Sequence, residues 1–201
     1  VFATTPSANG VDFSTVRITD VQSDSFAARI QEAAYEDDIH DLPEDVSFLV
    51  LEAGSWQLGD GTRLEVGTHA TDSLTTAAGF ERVSFADGFD AAPSVFSQVQ
   101  STTDASFVQT RKQGADGQGF ELALEHEEAR EGTPHAEEQV GWFAIEQGTG
   151  SWDGHAFQAG STGNAVTDAP YTLSFDDSLN FDAPPQFFAQ IASFDGPDTA
   201  H

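Results

Sequence analysis

The sequence contains no cysteine and no methionine, and its single lysine is Lys112. Without cysteine there are no disulfides and no thiolate chemistry, so each folded unit must be held by its own core. A chain that opens at Val1 and lacks methionine reads as processed or as part of something longer. No apolar run of about eighteen residues and no signal peptide occurs, so nothing in this segment is expected to span a membrane. Basic residues are scarce: 7 Lys+Arg stand against 34 Asp+Glu, a formal net charge of −27. Such a surface repels a phosphate backbone, which argues against a nucleic-acid partner.

What is present is carboxylate and aromatic side chain in quantity. Disorder is the simplest reading of extreme acidity, but 17 Phe and 3 Trp, with 38% hydrophobic residues, are enough for sizeable cores. The remaining explanation is adaptation to high salt, in which a carboxylate shell keeps the surface hydrated. A compact chain of this mass exposes roughly 9,000 Å². Net charges then sit about 18 Å apart on average, beyond the Debye length of about 8 Å at physiological salt. Local clusters repel more strongly, as in Glu36, Asp37, Asp38, Asp41, Glu44 and Asp45, or Glu125, Glu127, Glu128, Glu131, Glu137 and Glu138.

An internal repeat organises the chain. Val1-Phe2 recurs as Val95-Phe96 and again as Phe187-Phe188, at offsets of 94 (95 minus 1) and 92 (187 minus 95) residues. Arg17 matches Arg111, Phe26 matches Phe120, Val46-Ser47-Phe48 matches Val140-Gly141-Trp142, and Ser55-Trp56 matches Ser151-Trp152. The division expected from this period is 1–92 for a first sandwich, 93–184 for a second, and 185–201 for the opening strand of a third unit or a terminal donor strand.

Periodicity within a unit is two. Phe26, Ala28 and Ile30 alternate with Ala27, Arg29 and Gln31, as Phe120, Leu122 and Leu124 alternate in the second copy. Asp-Gly pairs at 60–61, 116–117 and 153–154 lie between short apolar runs, which is hairpin chemistry. The expectation is an all-β chain of tandem antiparallel β-sandwich domains, immunoglobulin-like in outline, with few helices.

The succession Phe89-x-x-x-Pro93-x-Val95-Phe96-x-Gln98, then Arg111, Gly119-Phe120-Glu121 and Val140-Gly141-Trp142-Phe143-Ala144, resembles the H-type lectin domain. It is also similar to repeats of very large microbial surface proteins. The resemblance implies a six-stranded antiparallel sandwich, binding of N-acetylgalactosamine through loops, and trimeric assembly. It covers about two-thirds of each unit, mostly at core positions, and places no sugar-contacting residue on this chain.

Both copies carry carboxylates and then a histidine after the second core strand. Glu36, Asp38, His40 and Glu44 in the first copy, and Glu127, Glu128, His135 and Glu138 in the second, are candidate metal ligands. Ca²⁺ is the candidate ion, since it takes six to eight oxygen ligands, and the alternative is a solvated loop holding diffuse cations. Either histidine could instead bind a transition metal, or brace its loop by hydrogen bonding. Trp56, Trp152 and His155 are candidate ligand-binding residues, because an aromatic at a hairpin stacks on a sugar ring; core or junction packing is the favoured alternative. Arg17 and Arg111 read as internal braces to carboxylates.

No nucleophile motif, Cys–His pair or phosphate loop is present, and the carboxylates lack the walled cleft that glycosidase chemistry needs. The expected function is non-enzymatic: an extracellular structural or adhesive repeat protein of a halophile, building a filament, sheath, stalk or virion fibre by self-association or contact with homologous repeats. A lectin-like module that binds surface glycans is the alternative.

Overall fold

The structure, a computed structural model, describes residues 1–196 apart from 4–8, 11–13, 36–38, 77–78, 180 and 186. The described strands are β1 (Phe2–Ala3), β2 (Ser14–Thr19), β3 (Ala27–Glu32), β4 (Phe48–Leu49), β5 (Gly54–Gln57), β6 (Arg63–Thr71), β7 (Glu81–Ser84), β8 (Ser94–Val99), β9 (Val108–Asp116), β10 (Gly119–His126), β11 (Glu138–Ile145), β12 (Gly148–Trp152) and β13 (His155–Ala159). All pairing between these strands is antiparallel. The chain is all-β; helical structure among the described residues is a 3₁₀ turn at Glu128–Arg130.

Two sheets form one complete sandwich: a three-stranded sheet in the order β7-β10-β9 and a four-stranded sheet in the order β5-β6-β11-β8. Seven strands therefore take part, one more than the lectin resemblance implies. The core between the sheets is Leu74, Val83, Phe85, Phe89, Val95, Val99, Val108, Phe120, Leu122, Leu124, Val140, Trp142 and Ala144. Gly67 stands opposite Trp142 in the β6–β11 register. A Cβ there would lie 2.5 Å from the indole, so the ring needs a glycine beneath it.

This packing unit is offset from the sequence unit. The sheets do not part at 92/93: β6 and β7, in the first sequence copy, pair with β11 and β10 in the second. The closed sandwich runs over 54–145, between a half-unit of β1–β4 and another begun by β12 and β13. A periodic sequence defines the length of its repeat but not where the fold cuts it. The cut lies wherever facing strands complete a core.

The four-stranded sheet is apolar on both faces. Along β11, Val140, Trp142 and Ala144 point into the sandwich, whereas Phe143 and Ile145 point outward. The outer face gathers Phe2 and Leu51 from one side and Phe157, Ala159 and Phe188 from the other, around Leu64, Val66, Phe96, Phe143 and Ile145. Covering on both faces explains why β11 reads as a near-continuous apolar run rather than an alternation. Its Phe143 stacks on Phe96 at 4.7 Å and meets the edge of Phe2 at 4.7 Å.

Candidate functional site

The carboxylates singled out in the sequence are not all solvated. Glu32, Glu127 and Glu138 are at most 1% exposed, and Glu125 and His135 are also buried. Glu128 lies on the surface, and Glu36 and Asp38 lie outside the described residues. A wholly hydrated loop is thus corrected for the buried members: Glu127 and Glu138 accept backbone N–H groups, Glu32 meets His40, and Glu125 meets Arg111.

The two copies build the same brace. In the first, His40 Nδ1 is 2.7 Å from Glu32 Oε1 and Nε2 is 3.2 Å from Glu44 Oε1. In the second, His135 Nδ1 is 2.8 Å from His126 Nε2, and its Nε2 is 3.3 Å from Glu138 Oε1. His126 occupies the position of Glu32, 94 residues on (126 minus 32). Each terminal carboxylate then closes the preceding loop. Glu44 Oε1 accepts from the Asn9 and Gly10 N–H groups at 2.8 Å, and Glu138 Oε1 from those of Thr103 and Asp104 at 3.1 Å.

Both ring nitrogens of His40 and of His135 are occupied by separate neighbours, so neither ring turns a lone pair toward a shared centre. Among the described residues no three His, Asp or Glu side chains are grouped so as to hold a metal ion. Electrostatics separate the braces. The hydrogen bond to Glu32, with a second from Glu44, raises the His40 pKa above 6.5; burial, then His135, lowers that of His126. Burial alone would raise the Glu138 carboxyl, but hydrogen bonds from His135, Ser101 and the Asp104 and Thr103 amides bring it down to about 2.

Arg17 and Arg111 are buried and ion-paired. Arg17 Nη2 lies 2.6 Å from Glu138 Oε1, and its Nη1 bonds Gln31 Oε1 at 3.3 Å. Arg111 Nη1 contacts both oxygens of Glu125, the counterpart of Gln31, at 3.0 and 2.9 Å. Both also cross to the next sequence copy, Arg17 Nε to the Ser101 carbonyl at 2.8 Å and Arg111 Nη2 to that of Ser193 at 3.3 Å. The braces were legible in the sequence, but not their reach: Arg111 pairs with a carboxylate of its own copy, whereas Glu138, the partner of Arg17, belongs to the next one.

Core or junction packing is the favoured reading for the tryptophans, and neither indole enters the core. Trp56 is 43% exposed and Trp152 41% exposed, on matched hairpins. Trp152 pairs directly with His155, also exposed, across the Asp153-Gly154 turn. Both turn residues have positive φ, 50° and 83°, as a two-residue hairpin of this hand requires. Trp56 Nε1 donates to the Glu52 carbonyl at 3.2 Å. All four residues of β5, at the edge of its sheet, are exposed.

Sequence analysis also missed Lys112, Gln98 and Gln190. Lys112, the single lysine, is 3% exposed. Its Nζ donates to Gln190 Oε1 at 2.8 Å and to the Ile191 carbonyl at 3.0 Å. The signal was available: a lone ammonium in a carboxylate-rich chain, placed where the first copy has Ile18.

The fold and these braces define a tandem antiparallel β-sandwich repeat protein whose repeats share buried polar contacts. The chain is similar to halomucin of Haloquadratum walsbyi (strain DSM 16790 / HBSQ001), at 32% identity over 187 residues. The matched stretch covers 92% of this chain and 2% of halomucin, so the chain spans a small part of that protein's length. Neither a protein-family model nor a solved structure matches the chain.

Proposed function

We propose that this chain is part of a non-enzymatic extracellular protein of a salt-adapted cell, in which homologous sandwich repeats build a surface layer or stalk. The observation that carries this reading is the outer face of the four-stranded sheet, where Phe2 from one side and Phe157 and Phe188 from the other share a cluster with Phe96 and Phe143. A catalytic domain keeps a walled cleft free for substrate, whereas here the second apolar face of the central sheet is given to neighbouring repeats. Likeness to part of a halophile's halomucin supports the cell surface, rather than a virion, as the location. The excess of carboxylate supports exposure to molar salt. The test is brief protease shaving of intact cells at high salt, followed by cryo-electron microscopy of the released native material. Release of this chain from intact cells, in ordered arrays, is the expected result; recovery only after lysis overturns the surface reading.

One observation favours glycan binding as a second reading: the exposed, matched indoles of Trp56 and Trp152, the latter opposite His155. A glycan array probed at about 3 M KCl tests it, that salt keeping the screening length at about 2 Å. Saturable binding lost in Trp152→Ala, with the melt unchanged, supports the lectin-like role; no binding to any glycan removes it.

A further inference from the structure

Two junctions between successive copies lie within the chain, and matched glutamines and arginines build both, the glutamine Nε2 reaching Val16 in one and Ser97 in the other. At the first, Gln98 Oε1 accepts the Ala3 N–H at 2.6 Å, and Gln98 Nε2 donates to the Val16 carbonyl at 3.2 Å. At the second, Gln190, the counterpart of Gln98, accepts the Ser97 N–H through Oε1 at 3.0 Å and donates to the Ser97 carbonyl through Nε2 at 3.0 Å. Ser97 is itself the counterpart of Ala3. The arginine contact repeats in the same way, from Arg17 to the Ser101 carbonyl and from Arg111 to that of Ser193. The aromatic contact is shared too, since Phe2 and Phe188 enter one cluster with Phe96, and Phe188 meets Phe96 at 5.3 Å.

We propose that each copy clamps the next at one fixed register through this glutamine–arginine set, so that a run of these repeats forms a stiff rod in which the partner at every junction is another copy of the same unit. The proposal rests on the repeat-structural reading above and adds to it the geometry of the contact. Register is fixed because the glutamines and one nitrogen of each arginine grip main-chain amides and carbonyls, to which Arg17 adds a side-chain pair with Glu138 of the next copy. A slip of one residue would turn Phe96 and Phe188 to the opposite face and leave buried polar groups unpaired. Gly141 is part of the fit: Gln100 crosses it to donate to the Val1 carbonyl, and a Cβ there would lie 2.0 Å from the Gln100 amide. Connections are also short, with two residues, Glu146 and Gln147, between β11 and β12, too few to act as a flexible tether.

The absence of native cysteine makes the test direct. Ser23→Cys and Ser161→Cys, both on exposed positions of the flanking half-units, accept spin labels, and pulsed dipolar spectroscopy of the 201-residue chain in concentrated KCl reads the distance between them. A single narrow distance is expected, broadening at least twofold in the Gln98→Ala, Gln190→Ala, Arg111→Gln variant. A broad distribution in the chain with intact clamps overturns the rod whatever the variants do, and so does a narrow one that the substitutions leave unchanged. A narrow distance in a protein that shaving does not release sinks the surface reading and leaves the rod standing; a broad one in a protein that is released does the reverse.

Discussion

Lys112 carries a charge into a place that desolvates it, and burial, with Arg111 beside it, lowers its pKa to about 7. A base whose folded pKa lies below its unfolded value of 10.5 costs stability when protonated. That cost is absent above the unfolded pKa and grows as pH falls toward the folded one. The chain is therefore expected to melt several degrees higher at pH 10 than at pH 7, each kcal/mol being worth about 2–4 °C at this size. Lys112→Ile, which copies Ile18 of the matched position, should abolish that difference and leave the pH 7 melt equal or higher, because an apolar residue replaces a desolvated ion. Thermal melts of both proteins across this pH range check it.

The two histidine braces should titrate in opposite directions. His40, with a raised pKa, contributes stability below 6.5 that is lost as pH rises through its folded value. His126, with a lowered pKa, works the other way, its contribution lost as pH falls below 6.5. An NMR titration should place His40 above 6.5 and His126 below it, and Glu32→His should pull His40 down by removing its leading carboxylate partner.

At the scale of the element, β11 supports two layers at once. Its inward residues complete the sandwich and its outward Phe143 anchors the neighbouring copies. Phe143→Ala should cost about 3–5 kcal/mol in chemical denaturation, the range for deleting a buried ring. It should also loosen the flanking halves, because Phe2 packs on that ring and Phe188 on Phe96, which stacks on it. Equal protection from hydrogen exchange in β1 before and after the substitution would refute the coupling.

At the scale of the molecule, the accessible surface is 11,453 Å², against roughly 9,000 Å² for a compact chain of this mass. The excess reflects one closed sandwich between two open halves, on which Phe48, Phe187 and Ile191 are exposed. With a net charge of −27 on that surface, salt should govern stability. Carboxylates such as Glu128, Glu131 and Glu137 are exposed and repel until screened. The melting temperature is expected to rise by ten degrees or more between about 0.1 M and 3 M KCl, over which the Debye length falls from about 10 Å to about 2 Å. A flat profile would refute the halophilic reading of the composition.

The sequence by itself determined the class and the period. Alternation at Phe120, Leu122 and Leu124, Asp-Gly turns, and matched blocks such as Val1-Phe2 and Val95-Phe96 are local signals, and local signals survive in one dimension. The tertiary structure alone decided the phase of the repeat, the burial of Glu32, Glu127 and Glu138, and the exposure of Trp56 and Trp152. Each depends on which strands from distant parts of the chain come to face one another. A carboxylate on a solvated loop and one capping backbone amides at a junction are written with the same letter, and only the fold brings the amides to it.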